Sequence, residues 1–211
     1  MKSVGVCNYC KNTFSGSAMT KHLQSCSERK KQNEKDKTSG TVFLINARCG
    51  PYWIYFEVNS DATLKNIDSF LRDLWLECCG HLSMFTINGI NYSVSPQKGD
   101  GDKSMNLPLS KVLSLGLAFI HEYDFGTTTT LGLKVSGERK GKVKEISLIA
   151  RNNTPDFKCK CGKPAKDICS QCVWDGDGFF CKECAKEHEF EEEMFLPFVN
   201  SPRAGMCGYE G

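Results

Sequence analysis

A chain of 211 residues, 40% hydrophobic with a net charge of +2, has room for one ordinary domain plus small appendages and lacks the charge surplus of a general polyanion binder. It contains no run of eighteen apolar residues, so neither a transmembrane helix nor a membrane partner is expected. Thirteen cysteines, behind a Met1–Cys7 start with no apolar leader core, predict a reducing, cytoplasmic setting where thiolates hold metal instead of pairing as disulfides.

The charge is unevenly spread. Residues 1–40 carry eight Lys/Arg against three Asp/Glu, residues 41–156 twelve of each, and residues 157–211 seven against ten. Ten ligating thiolates and three zinc ions would bring the loaded chain from +2 to about −2. Only the basic N-terminal arm then offers an attraction for nucleic acid.

Residues 1–26 read as a zinc finger. Cys7-x-x-Cys10 is a knuckle that aims two sulfurs at one centre. Eleven residues separate Cys10 from His22, and three separate His22 from Cys26, which places the last two on one helix face. Phe14 and Met19 supply a minimal apolar core. The unit resembles a two-Cys, two-His finger whose final His is replaced by Cys26, with one residue fewer than usual between the pairs. Positions 15–21 offer Thr20 and Lys21 for base contacts but no Arg, Asn or Gln, which favours a protein contact over sequence reading. Residues 27–40 contain no large apolar side chain and predict a flexible charged linker. Any nucleic-acid binding would be weak and nonspecific, carried by Arg29, Lys30, Lys31, Lys35 and Lys37.

Residues 41–152 predict an α+β core domain. Thr41–Cys49 and Tyr52–Val58 are β-rich runs around Gly50-Pro51. Across 63–78, Leu64, Ile67, Phe70, Leu71, Leu74, Trp75 and Cys78 form one apolar stripe of a helix capped by Asp61 or Thr63. Met84–Ile87 and Ile90–Val94 flank Asn88-Gly89, a strong hairpin signal. Beyond them the sequence predicts a polar loop, a short helix over 109–115, and strands over 117–123, 128–135 and 143–151. The order resembles a β-grasp sheet with one main helix across it.

Residues 153–211 predict a module binding two zinc ions. Its ligands are Cys159, Cys161, Cys169, Cys172, Cys181, Cys184, His188 and Cys207. The short-spaced pairs can be used sequentially or interleaved, as in treble-clef, B-box and MYND-type modules. Interleaving is favoured, with Cys159 and Cys161 joining Cys181 and Cys184, and Cys169 and Cys172 joining His188 and Cys207. Phe195, Leu196, Phe198 and Val199 would line the return path of the tail. Every position is Cys or His, which predicts closed, structural sites.

The segment His121-Glu122-Tyr123-Asp124-Phe125-Gly126 resembles a signature of the plasmid pRiA4b ORF-3-like family, over roughly residues 41–151. The 109–113 stretch, Leu-Ser-Lys-Val-Leu, fits the same order, and residues 200–209 resemble the tail of a zinc-bearing branch. The resemblance implies no established reaction; some members sit in mobile elements, a hint of DNA-associated biology. After Gly126 the chain departs from the family, with four threonines and Leu131 where an acidic residue, Trp and His often stand.

Cys78 falls on the helix stripe and reads as core. Cys79 and His81 lack an orienting Asn or Asp for nucleophilic catalysis, and Cys49 reads as a strand-end filler. The sequence thus predicts a non-enzymatic, zinc-stabilised interaction or scaffold protein holding three zinc ions, with an unidentified protein partner. The alternatives are a weak nucleic-acid-associated factor using residues 1–37, and an enzyme sited near Tyr123 and Asp124.

Overall fold

The computed structural model describes residues 3–34, 39–96, 99 and 101–211. The chain divides into two units, Met1–Leu71 with Leu82–Asn153, and Arg72–His81 with Thr154–Gly211. Their bounds differ from those of the four consecutive parts expected at 1–26, 27–40, 41–152 and 153–211. Among the described residues no helix is long and apolar enough to cross a membrane.

The fold is α+β and mostly sheet. The first unit runs β1 (Val4–Cys7), β2 (Thr13–Ser15), α1 (Gly16–Ser25), α2 (Ser27–Glu34), β3 (Thr41–Cys49), β4 (Tyr52–Asn59) and α3 (Leu64–Leu71). It resumes with β5 (Ser83–Ile87), β6 (Ile90–Ser93), β7 (Lys103–Ser104), β8 (Ala118–Tyr123), β9 (Thr129–Lys140) and β10 (Ser147–Asn152). These strands form one sheet in the order β2-β1-β10-β4-β3-β9-β8-β5-β6-β7. Asn88 and Gly89 both take positive φ, 50° and 75°, as the two-residue turn between β5 and β6 demands. Thr63 caps α3 by exchange with Asn66: its N–H donates to Asn66 Oδ1 at 2.9 Å, and the Asn66 N–H donates back to Thr63 Oγ1 at 3.3 Å. The 109–115 helix shrinks to one 3-10 turn, Leu109–Lys111.

The finger is not an appendage. Strand β1 pairs antiparallel with β10, Gly5 opposite Asn152 and Cys7 opposite Ala150. Gly5 permits this approach, since a Cβ there would stand 2.1 Å from Arg151 O and 2.6 Å from the Trp53 ring. Cys7, Met19, Leu23 and Cys26 then pack into one apolar cluster with Leu44, Trp53, Tyr55, Ile149 and Ala150. The finger's small apolar face is completed by the sheet, which removes the need for a core of its own.

The linker also requires correction. Residues 27–34 are helical, and Arg29 is buried. Its Nε donates to Glu57 Oε1 at 3.1 Å and its Nη1 to Leu23 O at 2.7 Å. Glu57, on β4, also accepts from Arg139 Nη2 at 2.7 Å. A buried carboxylate recruits cations from wherever the chain brings them, and composition over 27–40 holds no trace of that distant partner. The rest of the expected linker, residues 35–38, lies outside the described residues.

In the second unit a π-helical turn, Arg72–Leu76, stands where the sequence predicts continued α-helix. Its marker is the Glu77 N–H donating to Arg72 O, five residues back, at 2.9 Å. Further on come β11 (Asp167–Cys169), β12 (Phe179–Phe180), α4 (Lys182–Lys186) and β13 (Phe195–Pro197), the strands ordered β12-β11-β13. Phe157 stacks on Phe179 at 4.2 Å with Phe198 edge-on to both.

Candidate metal centres

A tetrahedral ion held at about 2.3 Å from sulfur and about 2.0 Å from imidazole nitrogen sets its donors about 3.8 Å apart for two thiolates and about 3.6 Å for a thiolate and an imidazole. A disulfide would need about 2.05 Å. No cysteine is in a disulfide among the described residues, and the Cys/His side chains gather at the first kind of spacing.

The first group is Cys7, Cys10, His22 and Cys26, as the finger spacing predicts. The knuckle begins at the end of β1, and Lys11, just past Cys10, takes φ 62° to turn the chain. Helix α1 starts on Ser15, whose Oγ accepts from the Ala18 N–H at 3.3 Å, and carries His22. His22 Nε2 lies 3.3 Å from Cys10 Sγ, and Phe14 stacks on its ring at 3.9 Å. The helix is fixed to the sheet through Gly16 O, which accepts from Tyr55 Oη at 2.9 Å and Arg48 Nη2 at 2.6 Å. Burial pushes the Cys7 thiol up and the His22 imidazole down. A neutral imidazole is the ligating form.

The second group is Cys159, Cys161, Cys181 and Cys184, the interleaved arrangement, with Cys161 and Cys181 sulfurs 3.6 Å apart. Burial works to raise the Cys159 thiol, but hydrogen bonds from the backbone of Cys161 and Cys181 outweigh it and bring it to about 6. Cys184, hydrogen-bonded to the thiols of Cys161, Cys159 and Cys181, is pushed up to about 12. Four thiolates cannot share so small a volume without a cation, and a divalent ion resolves that repulsion.

The third group is Cys169, Cys172 and His188, with His188 Nε2 3.2 Å from Cys172 Sγ. Burial, then the Cys169 thiol and the carboxylates of Glu189 and Asp175, push Cys172 up to about 11. Phe180, Phe190 and Phe195 surround the His188 ring. The tail does turn back, as β13 beside β11, and Phe195, Leu196, Phe198 and Val199 are half-buried along it.

Cys207 is not in this third group. It lies 3.5 Å from Cys79 Sγ and 3.3 Å from His81 Nε2. The expected fourth ligand of Cys169, Cys172 and His188 is therefore misplaced, and the third group offers three donors. Sequence reasoning passed over Cys78, Cys79 and His81 because Cys78 extends the α3 stripe. The π-turn breaks that periodicity, and helical structure ends at Leu76.

No family model matches the chain, and no curated protein matches it. Among solved structures it is similar to the crystal structure of a protein of unknown function from Methanosarcina mazei Go1. That likeness has a TM-score of 0.48 at 16% identity, over 74% of this chain and 86% of the other. A likeness that distant carries no function, so the chemistry of the donor sets has to.

The remaining candidates do not gather into a site among the described residues. Asp124, at the end of β8, adopts φ 65° and its Oδ1 accepts from the Gly126 N–H at 3.0 Å, a local turn bond. Tyr123 is buried. Of the five cations expected to meet nucleic acid, Arg29 is committed to Glu57, Lys31 pairs with Glu28 at 2.8 Å and Lys30 is exposed. Lys35 and Lys37 lie outside the described residues.

Proposed function

We propose that this chain is a zinc-stabilised, non-enzymatic scaffold that presents contact surfaces to a protein partner in a reducing cytoplasm. The observation that carries it is the pair of complete four-donor groups built from thiolates and imidazole alone, Cys7/Cys10/His22/Cys26 and Cys159/Cys161/Cys181/Cys184. Sulfur-rich tetrahedral sets suit zinc, and a filled set leaves no position for water or substrate, which makes it structural. Twelve of the thirteen cysteines fall in groups at metal-donor spacing, a use of thiols that suits a reducing compartment. The His121–Gly126 segment supports kinship of the first unit with the pRiA4b ORF-3-like family. Elemental analysis of freshly purified full-length protein should find at least three zinc ions per chain; one or none would overturn the reading.

One observation favours a second reading. Cys169, Cys172 and His188 supply three donors, and a zinc ion with three protein ligands keeps a position for water, the arrangement of catalytic sites. With cobalt in place of zinc, azide should leave the visible bands unchanged if the scaffold reading holds throughout. A shift of those bands that disappears in Cys169→Ser would establish an open centre.

A further inference from the structure

The second unit holds another cluster, separate from the three groups above: Cys78, Cys79, His81 and Cys207. Cys79 Sγ lies 3.0 Å from His81 Nε2 and 3.8 Å from Cys78 Sγ, while Cys207 Sγ is 3.5 Å from Cys79 Sγ and 3.3 Å from His81 Nε2. The sulfur–sulfur distances lie near the edges of a tetrahedral three-thiolate, one-imidazole site, the sulfur–nitrogen distances are somewhat shorter than its edges, and the sulfur–sulfur distances are far longer than a disulfide bond.

The surroundings are built to hold those donors in place. The loop after the π-turn is clamped by Arg72, whose Nε donates to Glu77 Oε2 at 2.6 Å and whose Nη1 donates to His81 O at 2.9 Å. Glu77 Oε1 in turn accepts from the Gly80 N–H at 2.6 Å. From the other side, Ser201 Oγ donates to Trp75 O at 2.6 Å and accepts from the Arg203 N–H at 2.9 Å. Cys207 sits in the left-handed region, φ 49°, next to Gly208 at φ 69°, a turn that a side chain other than glycine adopts only under tertiary constraint.

A cation also stands beside the cluster. Arg203 is fully buried, and its Nη2 lies 3.6 Å from Cys78 Sγ. A guanidinium beside a sulfur favours its thiolate form, the form that ligates a metal.

The geometry points to a fourth zinc site at Cys78, Cys79, His81 and Cys207, which fastens the Arg72–His81 segment to the end of the chain. The inference rests on the zinc reading of the other groups. Its donors are half-buried or exposed, whereas each of the other groups contains at least one buried cysteine.

The test is zinc content of the full chain, wild type beside Cys79→Ser, Cys207→Ser, His81→Ala, His81→Cys and Cys49→Ser. Wild type should hold four ions. The first three variants should each hold three, because a hydroxyl or methyl replaces a donor. His81→Cys restores a thiolate and should keep four, as should Cys49→Ser, which touches no group. Three ions in wild type and in every variant would overturn the fourth site and leave the other groups standing. None in wild type would overturn both readings. A Cys79–Cys207 disulfide found by mapping under reducing preparation would also overturn it.

Discussion

Stripping the metal with a chelator is expected to dissolve the second unit while the sheet of the first unit persists. The strands of the second unit are two or three residues long, too short to hold a sheet unaided. On the zinc reading proposed above, its local order depends on Cys159, Cys161, Cys169, Cys172, Cys181, Cys184 and His188 meeting at ions. Structural zinc sites contribute an apparent ~10–16 kcal/mol each at neutral pH, far above the stability that so few apolar contacts supply. The first unit differs, because Trp53, Tyr55, Phe56, Ile67, Phe85 and Leu131 are all buried there without reference to metal. Hydrogen exchange with and without chelator provides the measurement. Amides of β11, β12 and β13 should lose protection and those of β3, β4 and β9 should retain it. Within the first unit, α1 should loosen, because His22 and Cys26 lose their ion. Protection of β11–β13 that survives full metal removal would show that the second unit folds on its packing alone.

Replacing Glu57 with Gln should cost about 3 kcal/mol, the usual result of removing one member of a buried ion group. The carboxylate faces two guanidiniums, Arg29 and Arg139, with 1% of its side chain exposed. An amide leaves both charges in place and removes the group that balances them. For a chain of this size that loss corresponds to a fall in Tm of roughly 6–12 °C. Burial acts to raise the Glu57 carboxyl, but hydrogen bonds and charge from Arg139 and Arg29 hold it below its ordinary value. Because the folded value lies below the unfolded one, the carboxylate's contribution is complete above the unfolded carboxyl range. It fades as pH falls through the folded value. The gap between wild type and Glu57→Gln should therefore be widest near neutral pH and narrow in acid. Helix α2 should also exchange faster in the variant, since Arg29 is its anchor to β4. Coincident melting curves at pH 7 would mean that the ion group contributes nothing to folding.

What the sequence determined by itself was local. The Cys7–Cys10 and Cys181–Cys184 knuckles, the Asn88-Gly89 turn, the β3–β4 hairpin and the start of α3 near Asp61 or Thr63 depend on residues within a few positions of one another. Turn geometry and side-chain spacing decide them before any tertiary contact forms. For Cys159, Cys161, Cys181 and Cys184 the spacing favoured interleaving but left sequential use open, and it is the fold that gathers these four. Tertiary structure decided the rest. Cys207 is as compatible in sequence with His188 as with Cys79, since several thiols of identical chemistry compete and only the path of the tail selects among them. The π-turn at Arg72–Leu76 moved Cys78 off its apparent stripe, an effect of one extra residue in a helical turn that periodicity over 63–78 does not register. Arg29 read as one more solvated cation until β4 placed Glu57 beside it. The finger read as a free unit until Gly5 let β1 lie against β10. In each case the deciding partner is distant along the chain, and composition or spacing carries no information about which distant groups a fold will bring within a few ångströms.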